Sequence, residues 1–224
     1  MIKPSTLLTL LSAIAVISGH ADAAASGCQP PRGFVDTPSP EIEPGGQLVS
    51  HTEEIVVDRP LVHVLHVEAT TKLEDTINRK SPLPGVSGTF DLTPGGFGQE
   101  GSRRLTCLTD GSSLVEQVLL NKRDQKTAEF RYVVWNYTST SARAVRYGIG
   151  HFVRTDLGDG RTHVRWTYSF RLEPTRFPGR LGGLGRLLFR LWFLERDYAK
   201  MMRGTLAGSK ARIGRTPARS GAQP

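Results

Sequence analysis

The sequence feature that most constrains the fold is a periodic apolar stripe near the C-terminal end, in residues 181–206. Its large apolar residues recur at steps of three, four or seven, which is the spacing of one face of an α-helix. Charged residues interrupt the run too often for a membrane-spanning helix, which needs about 20 mostly apolar residues. The helix must therefore bury its stripe against the rest of the protein. The stripe comprises Leu181, Leu184, Leu188, Leu191, Tyr198, Met202 and Leu206.

A series of strand-like segments precedes this helix and is predicted to receive it. Apolar and polar residues alternate in these segments, and turn-forming residues separate them. Asp110 with Gly111 is a strong hairpin signal, and residues 157–160 form a second tight turn. Consecutive hairpins predict an antiparallel meander. The predicted strands cover residues 51–57, 86–92, 102–108, 114–120, 128–138, 143–156 and 161–173, with one helix over about 61–78 after the first strand.

The three longest strands each predict one buried face. In the last strand, Val164, Trp166 and Tyr168 alternate with polar residues, so that one face is apolar and the other is wet. The same reasoning places Tyr132 and its alternate neighbours inward on the strand 128–138. On the strand 143–156 it places Tyr147 and its alternate neighbours inward. These faces are expected to cover the helix.

The first 25 residues are predicted to be a secretory signal peptide and not part of the fold. Lys3 supplies the positive start, residues 7–17 supply the apolar region, and residues 21–23 (Ala-Asp-Ala) supply a small-residue cleavage pattern. The mature protein is then expected to be exported, to the periplasm or outside the cell. A competing interpretation is lipid anchoring, because residues 25–28 (Ala-Ser-Gly-Cys) resemble a lipobox. The proline-rich residues 26–49 are predicted to be an extended spacer.

The two cysteines leave two alternatives open. In an oxidising compartment Cys28 and Cys107 could form a disulfide, which would close a long loop and stabilise the fold by about 4 kcal/mol. An acylated Cys28 could not form this bond. A metal or redox site is not supported, because the two residues are far apart and have no neighbouring Cys or His pair.

The formal net charge is +8, and much of the excess lies in the last helix and the residues after it. Residues 210–224 are predicted to be a basic, disordered tail. Such an end suits an anionic membrane surface electrostatically. The simpler interpretation is a solvated helix face followed by a tail without a partner, and nucleic acid is disfavoured as a partner.

Several local motifs resemble those of a known superfamily. Arg103 and Arg104 follow Gly101 into a strand, Glu116 lies in the hairpin that turns at Asp110 and Gly111, and Phe130 is close to Tyr132. With the order of elements, these motifs look like the START-like or SRPBCC superfamily of polyketide cyclase/dehydrase and lipid-transfer domains, over about residues 50–209. The resemblance implies an α+β helix-grip fold. In it, a curved antiparallel sheet of six to seven strands wraps around a long C-terminal helix and leaves an apolar cavity. The second short helix usual in such proteins is not visible in the sequence.

The resemblance and the strand alternation together predict where a ligand would lie. His151 is the candidate for proton transfer, because histidine titrates near neutrality, although no orienting carboxylate is evident. No cofactor and no metal are implied. The predicted ligand-binding residues are Tyr132, Val134, Asn136, Tyr147, Ile149, His151, Trp166, Tyr168, Leu188 and Leu191.

Three hypotheses about function follow from the sequence. The first is an exported protein that binds a hydrophobic small molecule or lipid without chemistry. The second is a polyketide cyclase or dehydratase that uses the same cavity, with His151 as acid or base. The third is a peripheral envelope protein that binds anionic lipid through the basic helix and tail.

Overall fold

The computed structural model describes residues 27–42, 47–77 and 83–217, so the predicted signal peptide and the end of the basic tail lie outside the described residues. The strands are β1 (Leu48–Val57), β2 (Val86–Asp91), β3 (Arg103–Leu108), β4 (Ser113–Arg123), β5 (Thr127–Trp135), β6 (Val145–Asp156) and β7 (Thr162–Leu172). The helices are α1 (Leu61–Thr70), α2 (Leu73–Thr76), α3 (Gly182–Phe189), a π-helical segment (Arg190–Tyr198) and α4 (Ala199–Arg215).

The seven strands form one antiparallel sheet in the order β1-β7-β6-β5-β4-β3-β2. Tight turns make this meander: Gly111, Gly158 and Gly160 all have positive φ, a backbone conformation that favours glycine. The first strand returns to pair with the last. The predicted meander is therefore confirmed, and β1 and β2 are its edges.

The C-terminal helix lies on the aromatic face of the sheet, as the helix-grip fold requires. On β7, the Phe170 ring contacts the rings of Phe189, Phe193 and Tyr198 on the helix, at centroid distances of 4.9 to 5.8 Å. Further along, Met202, Leu206 and Ile213 are almost fully buried in the same core. The predicted helix-grip fold is confirmed.

The predicted helix over residues 61–78 is two helices. Its first part, α1, ends at Thr70, and Thr71 is extended. The Thr70 and Thr71 hydroxyls donate to the carbonyls of His66 and Val67, which satisfies acceptors at the helix end. The second short helix that the superfamily leads one to expect is α2, and residues 78–82 lie outside the described residues.

The π-helical segment changes which side chains of the C-terminal helix face the core. A π turn holds more residues than an α turn, so an apolar spacing of 3.6 residues loses its phase there. The first half of the stripe is not buried as predicted. Leu184 and Leu191 are 59% and 55% exposed, and Phe189 and Leu194 are buried in their place. At its other end, α4 continues to Arg215, into the predicted tail. No helix in the described part of the chain combines the length and apolarity needed to cross a bilayer.

Residues 27–42 pack as a strap across the sheet face opposite the helix, although the sequence assigned them to a spacer. Trp135 Nε1 donates to Thr37 Oγ1 at 3.2 Å. Asp36 makes an ion pair with Arg103 at 2.8 Å. The strap closes a second apolar cluster, so both faces of the sheet are covered there. This outer cluster consists of Cys28, Phe34, Ile42, Leu48, Phe90, Leu92, Leu105, Cys107, Val115, Leu119, Val133, Trp135, Tyr147 and Ile149.

A disulfide between Cys28 and Cys107 fixes the strap to β3. The strap fits because Gly88 on β2 has no side chain. A Cβ atom there would lie 3.2 Å from Cys28 Cβ. With its sulfur in the disulfide, Cys28 has no free thiol to be acylated.

Candidate functional site

A cavity of about 1150 Å³ lies between the inner face of the sheet and the helices. Its wall is mainly apolar and includes many aromatic rings, as is common for sites that bind apolar small molecules. Strand residues supply half of these rings, because β5, β6 and β7 point alternate side chains inward. The aromatic residues of the wall are Phe97, Phe130, Tyr132, Tyr137, Phe152, Trp166, Tyr168, Phe170, Phe177, Phe189, Phe193 and Tyr198.

Two glycines of β6 let tyrosine rings lie directly against the strand. A Cβ atom on Gly150 would lie 2.2 Å from Tyr132 Cζ. A Cβ atom on Gly148 would lie 2.8 Å from Tyr168 Oη and 2.9 Å from Tyr137 Oη. The Tyr137 and Tyr168 hydroxyls therefore converge over the same point of β6.

We expect Gly150→Ala to lower the free energy of unfolding by about 1 to 3 kcal/mol, because the new methyl group displaces the Tyr132 ring. Gly208→Ala on α4 is the matched control, since a Cβ atom there meets nothing within 4 Å. The control should raise stability by about 0.5 to 1 kcal/mol, as alanine favours a helix. Chemical denaturation measures both. Equal midpoints for the two variants would contradict the described packing of Tyr132.

Four tyrosines form a tyrosine cluster in the cavity wall: Tyr132, Tyr137, Tyr168 and Tyr198. Their rings approach closely, with a centroid distance of 4.7 Å between Tyr168 and Tyr198. Burial raises the pKa of each of the four phenols well above its ordinary value. The pKa of Tyr132 is raised further by the charge of Glu116, partly offset by Arg104. The cluster therefore presents neutral hydroxyls that can donate hydrogen bonds.

Two polar atoms in the wall lack good partners. Tyr137 Oη and Trp166 Nε1 are buried, and neither makes a hydrogen bond of normal geometry within the described residues. Their polar neighbours are Tyr168 and Tyr132 respectively. An unsatisfied buried donor costs about 1 to 3 kcal/mol, so an acceptor on a bound molecule would recover free energy here.

We expect Tyr137→Phe to leave the free energy of unfolding within about 1 kcal/mol of the unmodified protein, or to raise it, because the removed hydroxyl has no well-formed partner. Urea denaturation at neutral pH measures this. Trp135→Phe is the comparison, since it removes an indole that donates to Thr37, and it should cost more. A loss above about 2 kcal/mol for Tyr137→Phe would show that its hydroxyl is already satisfied.

Two charged pairs lie in the cavity wall among the aromatic rings, Arg154 with Glu68 and Arg104 with Glu116. Arg104 Nε donates to Glu116 Oε2 at 2.5 Å, and Thr106 Oγ1 donates to the same oxygen at 3.1 Å. The Arg104 guanidinium also lies over the Phe97 ring, 3.9 Å from its centroid. The Arg104–Glu116 pair supplies polar groups that sequence reasoning missed. The signal was present, because Glu116 shares the inward side of β4 with Leu114.

Four of the predicted ligand-binding residues line the cavity: Tyr132, Val134, Trp166 and Tyr168. They lie on β5 and β7, where the alternation read from the sequence continues without interruption through the wall. Phe170 on β7 follows the same alternation.

The predicted inward face of β6 is wrong after Val145, the first residue of the strand. A bulge between Val145 and Tyr147 shifts the register by one residue, so Tyr147 and Ile149 enter the outer cluster. A one-residue shift moves every following side chain to the opposite face. His151 follows this shift and pairs with Glu129, with Nε2 and Oε1 2.8 Å apart. It does not line the cavity and is not placed to act on a ligand there.

Three other predicted residues also lie away from the cavity. Asn136 follows the end of β5 with a φ of 55°, and its side chain donates to the Val35 carbonyl of the strap at 3.4 Å. Leu188 and Leu191 belong to the part of the helix stripe that is out of phase, and neither lines the cavity. In their place Phe189 and Phe193 line the cavity.

No protein-family model and no curated protein matches the chain in sequence. Solved structures do match it. The ZhuI aromatase/cyclase from Streptomyces sp. R1128 has a TM-score of 0.55 and 13% identity, over 78% of this chain and 99% of the other. A hypothetical protein from Helicobacter pylori gives 0.53 and 12%, over 80% and 98%. Ara h 8.0201 gives 0.52 and 13%, over 75% and 99%.

A curved sheet closed over a helix around an aromatic cavity defines a helix-grip protein. This chain has that fold in the form also called Bet v 1-like.

Proposed function

We propose that the protein binds a hydrophobic small molecule or lipid in the cavity, with a hydrogen-bond acceptor of the ligand among the hydroxyls of the tyrosine cluster. The observation that carries the proposal is the cavity itself, about 1150 Å³ of space with a mainly apolar wall rich in aromatic rings. Burying apolar ligand surface there contributes roughly 25 cal/mol per Å². The acceptor is supported by the buried Tyr137 hydroxyl and Trp166 Nε1, which lack well-formed partners.

The first test is whether an apolar molecule accompanies the protein. The purified protein is measured by native mass spectrometry, then denatured, extracted with organic solvent and analysed again. We expect a bound species that disappears on denaturation. A second measurement follows the fluorescence of anilinonaphthalene sulfonate, a probe that becomes bright in apolar sites.

A pair of variants on β7 makes this test specific. Val164→Trp adds an indole to the cavity wall, and Thr167→Trp adds one to the opposite face of the same strand. We expect Val164→Trp to weaken probe binding by about tenfold or more, since the loss of about two methylene contacts, at about 0.8 kcal/mol each, already corresponds to tenfold. The Thr167 variant should bind as before. Equal probe binding by both variants, with no co-purified molecule, would contradict the proposal.

A second candidate function is a cyclase or dehydratase that acts on a polyketide-like carbonyl compound in the same cavity. The Arg104–Glu116 pair favours it, because a carboxylate and a guanidinium are unusual in an aromatic wall. In this proposal Glu116 transfers the proton and the tyrosine hydroxyls polarise the carbonyl. Incubation with a linear poly-β-ketone should give cyclised product that Glu116→Gln abolishes. Binding without product would leave the ligand-binding function alone.

We also propose that the protein is exported. The support is the Cys28–Cys107 disulfide, since such bonds persist in oxidising compartments. Cell fractionation and the N-terminal sequence of the mature protein test it. A cytosolic protein with free thiols would contradict it.

A further inference from the structure

The outward side of the C-terminal helix carries a continuous row of exposed apolar residues. Leu184, Leu187 and Leu191 share the side of the helix opposite Phe189 and Phe193, which face the cavity, and Leu181 and Trp192 extend this exposed surface. Elsewhere in the described part of the chain, large exposed apolar residues are scattered singly, as at Val35, Val62 and Leu157. We call the row the apolar ridge. It consists of Leu181, Leu184, Leu187, Leu191 and Trp192, which are 41 to 60% exposed.

Four arginines surround the apolar ridge. Residues 174–194 contain four arginines and no Asp or Glu. Beyond that segment, Glu195 meets one of them, Arg190, at 3.0 Å. The four arginines are Arg176, Arg180, Arg186 and Arg190.

Three basic residues of α4 are bound within the protein. Arg203 makes an ion pair with Glu53 at 2.6 Å, and Lys210 lies 3.2 Å from Asp58. Arg212 donates to the backbone carbonyl of Asp75. At the ridge, Arg186 donates to Gln47 Oε1 at 2.6 Å and Arg176 donates to the Arg143 carbonyl at 3.3 Å. Both oxygens are neutral, so these two arginines keep their positive charge for a partner.

We infer that the apolar ridge docks on the surface of an anionic lipid bilayer. Leucines and a tryptophan on one side of a helix, with arginines beside them, are the composition of helices that lie in a membrane interface. The charge also argues against a second copy of this chain as the occupant. A symmetric contact through the ridge would bring the two sets of four arginines together.

Docking would bring the cavity to the membrane. This consequence rests on the proposed function. Phe177 is 54% exposed and also lines the cavity, so the exposed apolar surface and the cavity meet at this residue. The helix carrying the ridge forms the cavity wall through Phe189 and Phe193. An apolar ligand could pass between bilayer and cavity at this end of the helix with little exposure to water.

Vesicle sedimentation and tryptophan fluorescence test the docking. The purified protein is mixed with vesicles of phosphatidylcholine alone, or of equal parts phosphatidylcholine and phosphatidylglycerol. We expect binding to the anionic vesicles that weakens with added salt. Trp135 and Trp166 are buried, so the emission of exposed Trp192 should shift to the blue on binding. Trp192→Phe should still sediment but lose the shift.

Matched variants identify the surface. Leu187→Gln with Leu191→Gln removes half of the ridge leucines and should reduce the bound fraction by about tenfold or more, by the apolar area withdrawn from the membrane. Val62→Gln with Leu157→Gln makes the same chemical change at exposed sites away from the ridge and should bind as before. All variants are compared with the same N-terminus, so that the apolar residues 7–17, where present, contribute equally to vesicle binding.

Three outcomes would overturn the inference. They are equal binding by the ridge and control variants, binding that ignores phosphatidylglycerol, and no blue shift of Trp192. Self-association that the ridge variant abolishes, without vesicle binding, would assign the ridge to a second copy. Anilinonaphthalene sulfonate binding by the same variants keeps the two proposals apart. If the probe binds and the vesicles do not, the membrane inference fails and the cavity proposal stands.

Discussion

Raising the pH from about 8 to about 11 is expected to remove about 3 to 6 kcal/mol from the free energy of unfolding, a large share of the stability of a typical domain. The cause is the tyrosine cluster, whose four phenols have pKa values raised by burial. An unfolded chain releases their protons near pH 10, whereas the folded chain keeps them. The stability is therefore fully present below about pH 10 and is lost as the pH rises toward the folded pKa values.

For each phenol that stays neutral in the folded protein, the free energy of unfolding falls by about 1.4 kcal/mol per pH unit above 10. The total loss is smaller than four times this value, because some of the hydroxyls face the cavity. Urea denaturation across this pH range measures the effect, and tyrosinate absorbance shows when the phenols ionise. Tyr137→Phe is the control, because it removes one buried phenol. The slope of its free energy of unfolding against pH should be smaller by the equivalent of about one proton. Tyrosinate absorbance that develops in the folded protein near pH 10 would contradict the prediction.

Removal of the disulfide is expected to cost about 4 kcal/mol, because the bond closes a long loop in the unfolded chain. Cys28 and Cys107 are 79 residues apart in sequence. The double change Cys28→Ala with Cys107→Ala also releases the strap that covers Trp135 and the outer cluster. Guanidinium denaturation with and without a reducing agent measures the loss.

The double variant is its own control for the reducing agent, which should shift the midpoint of the unmodified protein only. The ligand cavity lies on the other face of the sheet and should keep its probe binding at temperatures well below unfolding. An unmodified protein whose midpoint does not respond to the reducing agent would contradict a stabilising disulfide.

The strands and their turns were predictable because their signals are local. Alternation along β7 fixed its buried face, and Gly111, Gly158 and Gly160 supplied turns that need positive φ. The helix-grip fold followed from these elements in order. Tyr132, Val134, Trp166 and Tyr168 were assigned to the ligand space from the same alternation, and they do line it.

Failures of the sequence interpretation occurred where one extra residue changes the phase of an element. The bulge in β6 after Val145 moved Tyr147, Ile149 and His151 to the outer face, and the π-helical segment exposed Leu184 and Leu191. Periodicity alone does not reveal a bulge or a π turn, since both are stabilised by what packs against them. The role of the strap was hidden for a related reason, because its few apolar residues gain their burial only from the far side of the sheet.

By itself the sequence therefore determined the elements, their order and the aromatic face, because hydrophobic alternation and turn chemistry act over a few residues. Only the tertiary structure decided the phase of β6 and of the C-terminal helix, and with it which side chains meet in the cavity and which remain exposed as the apolar ridge. The physical reason is that packing between distant segments selects among registers that local preferences leave nearly equal.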